Sequence, residues 1–191
     1  MSTEQLLSLF FDAATLKRVP RSGWLLRNVP QVESVADHSY SMAVMTLALA
    51  DALNASGALA EPLDAGRALT ISVLHDLAES RLTDLPGPAM RFLDPQAKSQ
   101  AESAAIAEIL RSLPSAEAFQ ALWHEFEDAT SPEGRLVCDT DKLEMMVQCL
   151  RYERAGVRGL DEFWASVDRY QWHYSLCAEL YQALRNLRPV V

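Results

Sequence analysis

SVLHDLAESRL, residues 72–82, sets an imidazole and a carboxylate side by side, His75 and Asp76, inside an apolar frame of Val73, Leu74, Leu77 and Ala78. Apolar residues three and four apart predict a helix. A carboxylate in that frame is costly to bury unless a cation, a hydrogen-bond partner or a metal ion compensates it. On a continuous helix His75 and Glu79 are four apart and Asp76 and Glu79 three apart, so all three project toward neighbouring parts of one face.

Working outward, helical signals succeed one another with almost no strand pattern, which predicts an all-α chain. A first helix is expected over residues 3–18, with Ser2 and Gln5 forming a capping box. A loop holding Pro20, Gly23 and Pro30 follows. Ser34-x-x-Asp37 opens a second helix that runs to the Asn54–Gly57 break, and Asp64 opens a third reaching about Arg81, where TDLPGP ends it. Asp94-Pro95 reads as an N-cap followed by proline at the first helical position, for a helix to about Leu113. Ser115 opens another to about Asp128, and Ser131-Pro132 repeats the device for a long helix closing at Gly156. One or two further helices fill residues 160–187, and no repeat, low-complexity tract or linker divides residues 1–191, so a single domain is expected.

The composition is that of an ordinary globular chain: 191 residues, 49% hydrophobic and 23% charged. No apolar run approaches the ~18 to 20 residues of a membrane helix, and the first residues, MSTEQLLSLFFDAATLK, lack the basic start and cleavage site of a signal peptide. The expected location is the cytoplasm, with no membrane partner. Cys138, Cys149 and Cys177 show no disulfide or metal spacing, which predicts reduced, mostly buried thiols. The net charge of −9 argues against a nucleic-acid polymer as partner. Residues 1–30 run against that charge: Lys17, Arg18, Arg21 and Arg27 outnumber Glu4 and Asp12, so this segment is +2 and the rest −11. A small anion suits such a segment, although Lys17 and Arg18 read as a solvated helix end facing its dipole.

Two other segments carry groups of the same chemistry. His38 stands near the start of the second helix in SVADHSYSMAV, and the long helix carries carboxylates in LVCDTDKLEMMVQCL, Asp139 and Asp141 among them. Imidazole nitrogen and carboxylate oxygen suit divalent ions, and helical bundles build such sites from separate helices. A metal ion is therefore one answer to what compensates Asp76. A histidine, an adjacent His-Asp and a later aspartate, each on its own helix, resemble the HD-domain metal-dependent phosphohydrolases. PRSGWLLRNVPQVESVADHS, LHDLAESRLTDLPGP and DTDKLEMMVQCLRYE are similar to successive signatures of the HD-domain 5′-deoxynucleotidases, the YfbR-like family, and cover about residues 17–155. Beyond about residue 156 the chain resembles nothing usable.

The resemblance implies an HD-domain helical bundle with the C-terminal helices packed on it. It implies metal ligands at His38, His75, Asp76 and Asp141, with Asp141 preferred over Asp139 because it directly precedes the KLEM turn. Asp139 is then a surface or supporting carboxylate. Glu79 and Asp84 match acidic residues near the scissile phosphate, and Arg21 and Trp24 match groups that hold phosphate and sugar, with Arg27 as the alternative to Arg21. One divalent ion (Co, Mn, Fe, Ni or Zn) is implied, because His124 is the one histidine between the His-Asp pair and Asp141; it and His173 read as ordinary helix or packing residues. The implied activity is removal of the 5′-phosphate from deoxyribonucleoside 5′-monophosphates by a homodimer. Its rivals are a triphosphohydrolase or cyclic-nucleotide phosphodiesterase on the same scaffold, and a non-catalytic helical interaction module with a vestigial metal site.

Overall fold

The computed structural model describes residues 2–189; Met1, Val190 and Val191 lie outside the described residues. The helices are α1 (Thr3–Thr15), α2 (Ser22–Leu25), α3 (Val35–Ser56), α4 (Ala65–Leu74), α5 (Glu79–Leu82), α6 (Pro95–Leu110), α7 (Ala116–Glu127), α8 (Pro132–Arg154), α9 (Asp161–Val167) and α10 (Ser175–Asn186). Among the described residues there is no strand, only an isolated β-bridge between Pro20 and Ser34.

Side chains that satisfy orphan amides start the helices where the sequence places them. Ser2 and Gln5 form a capping box on α1, and Ser34 and Asp37 form one on α3. Asp64 accepts from the Arg67 amide, Asp94 from Gln96 ahead of Pro95, and Ser131 from Gly134 beside Pro132. Gly134 also permits a close helix contact, because a Cβ there would sit 2.2 Å from the Glu125 carbonyl oxygen at the end of α7. Gly156, at φ 97°, takes the left-handed turn that stops α8.

Helices α3, α4 and α8 pack on one another, and α7 and α10 lie against α8. One core cluster joins α2, α3, α8, α9 and α10 through Trp24, Leu49, Leu53, Leu143, Met146, Trp164 and Tyr181. A second gathers Leu16, Val35, Leu74, Ile106, Leu110 and Trp123. The C-terminal helices are fastened as well as packed: Glu153 accepts from Trp164 Nε1 at 3.2 Å and from Arg188 at 2.8 Å.

The third helix is where expectation and structure part. It stops at Leu74; residues 75–78 form a turn, and α5 restarts at Glu79. Two side chains take the carbonyls that the helical ladder would use. His75 Nδ1 lies 2.7 Å from the Ser72 oxygen, which an unbroken helix would offer to Asp76, and Trp123 Nε1 donates to the His75 oxygen at 3.0 Å, which it would offer to Glu79. Glu79 N–H turns instead to the Asp76 oxygen at 3.0 Å, a tighter 3₁₀-type bond. The smaller differences are that α1 closes at Thr15 in a 3₁₀ turn over Leu16–Arg18, α6 ends at Leu110, and two segments read as loop contain α2 and a 3₁₀ turn, Ala89–Phe92.

Candidate metal centre and cleft

Three parts of the chain meet at one point. The first turn of α3 supplies His38, fully buried; the turn after α4 supplies His75 and Asp76; the middle of α8 supplies Asp141. His38 Nε2 lies 3.3 Å from His75 Nε2, 3.6 Å from Asp76 Oδ2 and 3.3 Å from Asp141 Oδ1, while His75 Nε2 lies 3.0 Å from Asp76 Oδ2. Donors bonded to one cation at ~2.0–2.1 Å stand ~2.8–3.4 Å apart; three of these spacings fall in that range, and His38 to Asp76, at 3.6 Å, is slightly wider.

Hydrogen bonding behind the rings gives the same answer. His38 Nδ1 is 2.5 Å from Glu144 Oε2, and His75 Nδ1 is bound to the Ser72 carbonyl. With each Nδ1 proton so used, the neutral rings aim their Nε2 lone pairs at each other and at two carboxylates. His38, His75 and Asp76 thus bring three electron-rich atoms together as a group that could hold a cation, and Asp141 meets it through His38. In the metal-free protein a proton on His38 takes the cation's place: burial and Arg21 push its pKa down, but Asp141, Glu144 and Asp76 outweigh them and bring it to about 10. Burial alone would raise the Asp76 carboxyl, yet His75, Arg21 and His38 hold it well below the usual carboxylate range. Lys142, His38 and Arg21 likewise hold Asp141 low against its burial.

The centre forms the floor of a cleft of about 630 Å³ lined by Arg21, Trp24, Asp84, Lys142, Phe163 and Tyr170 among others. Arg21 Nη1 reaches Asp76 at 3.3 Å and Asp84 at 3.6 Å, and Nη2 reaches Asp141 at 4.0 Å. Burial opposes the charge on Arg21, but Asp76, Asp141, Asp84 and Glu79 fix it in place. Asp84 accepts from the Ser22 amide while Ser22 Oγ donates to the Asp84 carbonyl at 2.9 Å, which pins the Arg21 segment to the floor. Glu79 leaves one buried carboxyl oxygen without a partner, and burial, then the charges of Asp76 and Asp84, push its pKa up to about 9. At neutral pH it is a carboxylic acid with a proton to give.

Trp24 is 2% exposed, its ring packed on Phe163 at 4.2 Å and its Nε1 donating to Glu33 at 2.8 Å, and both rings line the cleft. Arg27 points elsewhere: it pairs with Glu162 and lines an adjoining compartment. Asp139 is not a surface group. It is fully buried and accepts from Tyr170 Oη at 3.0 Å, the His173 amide at 3.0 Å and the Tyr174 amide at 2.9 Å, tying the segment before α10 to α8. His173 Nδ1 lies 2.9 Å from Asp139, and His124 is an exposed residue of α7. Cys138, Cys149 and Cys177 are free thiols, the last two buried.

Sequence reasoning passed over Glu144, Lys142, Phe163 and Tyr170. Lys142 Nζ sits 2.7 Å from Asp141 Oδ2, holding that oxygen away from the centre while Oδ1 faces His38. The charged pattern DxDKxE in the long helix was the available signal for Lys142 and Glu144; for Phe163 and Tyr170 the sequence held none.

An all-helical protein with an imidazole and carboxylate donor set at the base of a cleft is the class that the fold and site define. The HD domain matches residues 13–175, and the chain belongs to the HD-domain family of metal-dependent proteins. It is similar to the 5′-deoxynucleotidase HDDC2 of Danio rerio, 34% identical over 177 residues that make up 91% of this chain and 82% of the relative. The 5′-deoxynucleotidase hdd1 of Schizosaccharomyces pombe is 34% identical over 166 residues, 82% of this chain and 78% of the relative. Among solved structures, a conserved hypothetical protein from Pyrococcus furiosus superposes with a TM-score of 0.81 at 38% identity, over 94% of this chain and 99% of that one.

Proposed function

We propose that this protein is a metal-dependent phosphohydrolase that removes the 5′-phosphate from deoxyribonucleoside 5′-monophosphates. The observation that carries the reading is the grouping of His38, His75 and Asp76, with Asp141 against His38, at the base of a cleft that Arg21 lines and beside the protonated carboxyl group of Glu79. Relatives that share most of their length with this chain are named 5′-deoxynucleotidases.

His38, His75, Asp76 and Asp141 hold one divalent ion, and nitrogen and oxygen donors of this kind accept Mn, Fe, Co, Ni or Zn. When bound, such an ion supplies Lewis acidity at the phosphate and lowers the pKa of water. Arg21 holds the phosphate oxygens through charge-assisted hydrogen bonds. Glu79 gives its proton to the departing 5′-oxygen, and Asp84 fixes the Arg21 segment in register. Trp24 and Phe163 form the wall against which the deoxyribose rests. Phosphate monoesters need accelerations approaching ~10²¹-fold, more than arginine positioning alone supplies.

The described helices include none long and apolar enough to cross a membrane. Three free thiols support a reducing, cytoplasmic setting. The outward stripe of Tyr40, Val44 and Leu47 on α3, with Leu180 on α10 and Leu187 just past its end, supports a homodimer, which light scattering tests. Phosphate release from dAMP, dCMP, dGMP and dTMP, with Mn or Co supplied, tests the reaction against triphosphates and cyclic nucleotides as competing substrates. Turnover confined to either competitor refutes the monophosphate reading.

A further inference from the structure

The cleft does not end above the metal centre. A second compartment of about 390 Å³ shares Gly23, Gly87, Phe163, Ser166 and Arg169 with it and adds Arg27 and Arg91. Three guanidinium groups gather there, in a chain of net charge −9. The one carboxylate lining it is Glu162, more than half exposed and paired with Arg27. Among the described residues Arg91 and Arg169, both exposed, form no ion pair. The segment over residues 21–27 joins the two compartments, with Arg21 at the metal centre and Arg27 in the second. The two compartments are continuous through their shared walls, so one small ligand can reach both.

From this arrangement we infer that the second compartment is an anion subsite for a phosphate carried on the far side of the same nucleotide. The ligand class is a deoxynucleoside 3′,5′-bisphosphate, its 5′-phosphate over the metal centre and its 3′-phosphate among Arg27, Arg91 and Arg169. Guanidinium groups suit it because their paired N–H donors match phosphate oxygens. Water cleaves the 5′-ester, giving the deoxynucleoside 3′-monophosphate and inorganic phosphate. The inference rests on the reading of the metal centre given above, and binding separates the two.

The probe is 2′-deoxyadenosine 3′,5′-bisphosphate against dAMP, measured as affinity by calorimetry in EDTA and as kcat/KM with Mn. The bisphosphate is expected to bind on the order of tenfold tighter, an advantage that shrinks as salt rises. Arg91→Ala with Arg169→Ala brings the two ligands to parity, and Arg91→Ala alone leaves dAMP turnover at the wild-type rate. Equal affinity in the wild-type protein, or a preference that survives the double substitution, overturns the subsite. A retained bisphosphate preference with no phosphate release from either ligand supports the subsite and overturns the reaction instead.

Discussion

Metal uptake by this protein is expected to expel a proton from His38, and the site sets its size. In the metal-free protein the His38 pKa is about 10, because Asp141, Glu144 and Asp76 outweigh burial and Arg21. A metal needs the Nε2 lone pair, so that proton leaves first. At pH 7 the deficit is roughly three pH units, on the order of 10³-fold in apparent affinity or about 4 kcal/mol. Calorimetry with Mn or Zn in buffers of differing ionisation heat reads the protons released, about one per ion near pH 7–8, with affinity rising about tenfold per pH unit to pH 9. Glu144→Gln removes one of the groups that raises His38 and moves the plateau to lower pH. An uptake that releases no proton and is flat from pH 7 to 9 refutes the argument. The same group links pH to folding. Its folded pKa lies above the ordinary 6.5, so its contribution is fully present below pH 6.5 and is lost as pH rises to about 10. Glu79, raised from 4.5 to about 9, acts in the same direction because the fold favours its neutral form. The metal-free protein is therefore expected to melt at progressively lower temperature from pH 5 to pH 10.

Glu79→Gln keeps the shape but loses the transferable proton, so kcat should fall by ~10²–10⁴-fold while metal content by elemental analysis stays at the wild-type value; loss of the ion with the carboxyl group makes Glu79 a ligand instead. Arg21→Ala removes a charge-assisted contact worth about 1.5–3 kcal/mol and should raise KM for dAMP far more than Arg27→Ala does, a comparison that steady-state kinetics decides. Gly134→Ala places a methyl group against the Glu125 carbonyl, and thermal melting should show a loss of about 1–3 kcal/mol.

What the sequence by itself determined is local. The Ser34–Asp37 box, the Asp94-Pro95 and Ser131-Pro132 starts and the Gly156 stop each depend on residues within one turn, so they were legible without the fold. That His38, His75 and Asp76 would need partners was legible too, since imidazole and carboxylate in apolar frames need one wherever they meet. Only the tertiary structure decided who the partners are. Glu144 stands 106 residues from His38, and periodicity holds no record of so distant a contact. The third helix read as continuous to Arg81 because its apolar residues keep a three- and four-residue spacing; it breaks where Trp123, 48 residues on, takes the His75 carbonyl. Asp139 and Asp141 differ by two positions in one helix and end in opposite settings, one fastening α10 and one facing His38. Arg21 and Arg27 carry the same charge in the same short segment, and the position of Glu162 separates them. In the third helix a long-range side-chain contact outweighed a local preference of a fraction of a kcal/mol per residue, and at the paired aspartates and arginines partners distant in sequence set the role.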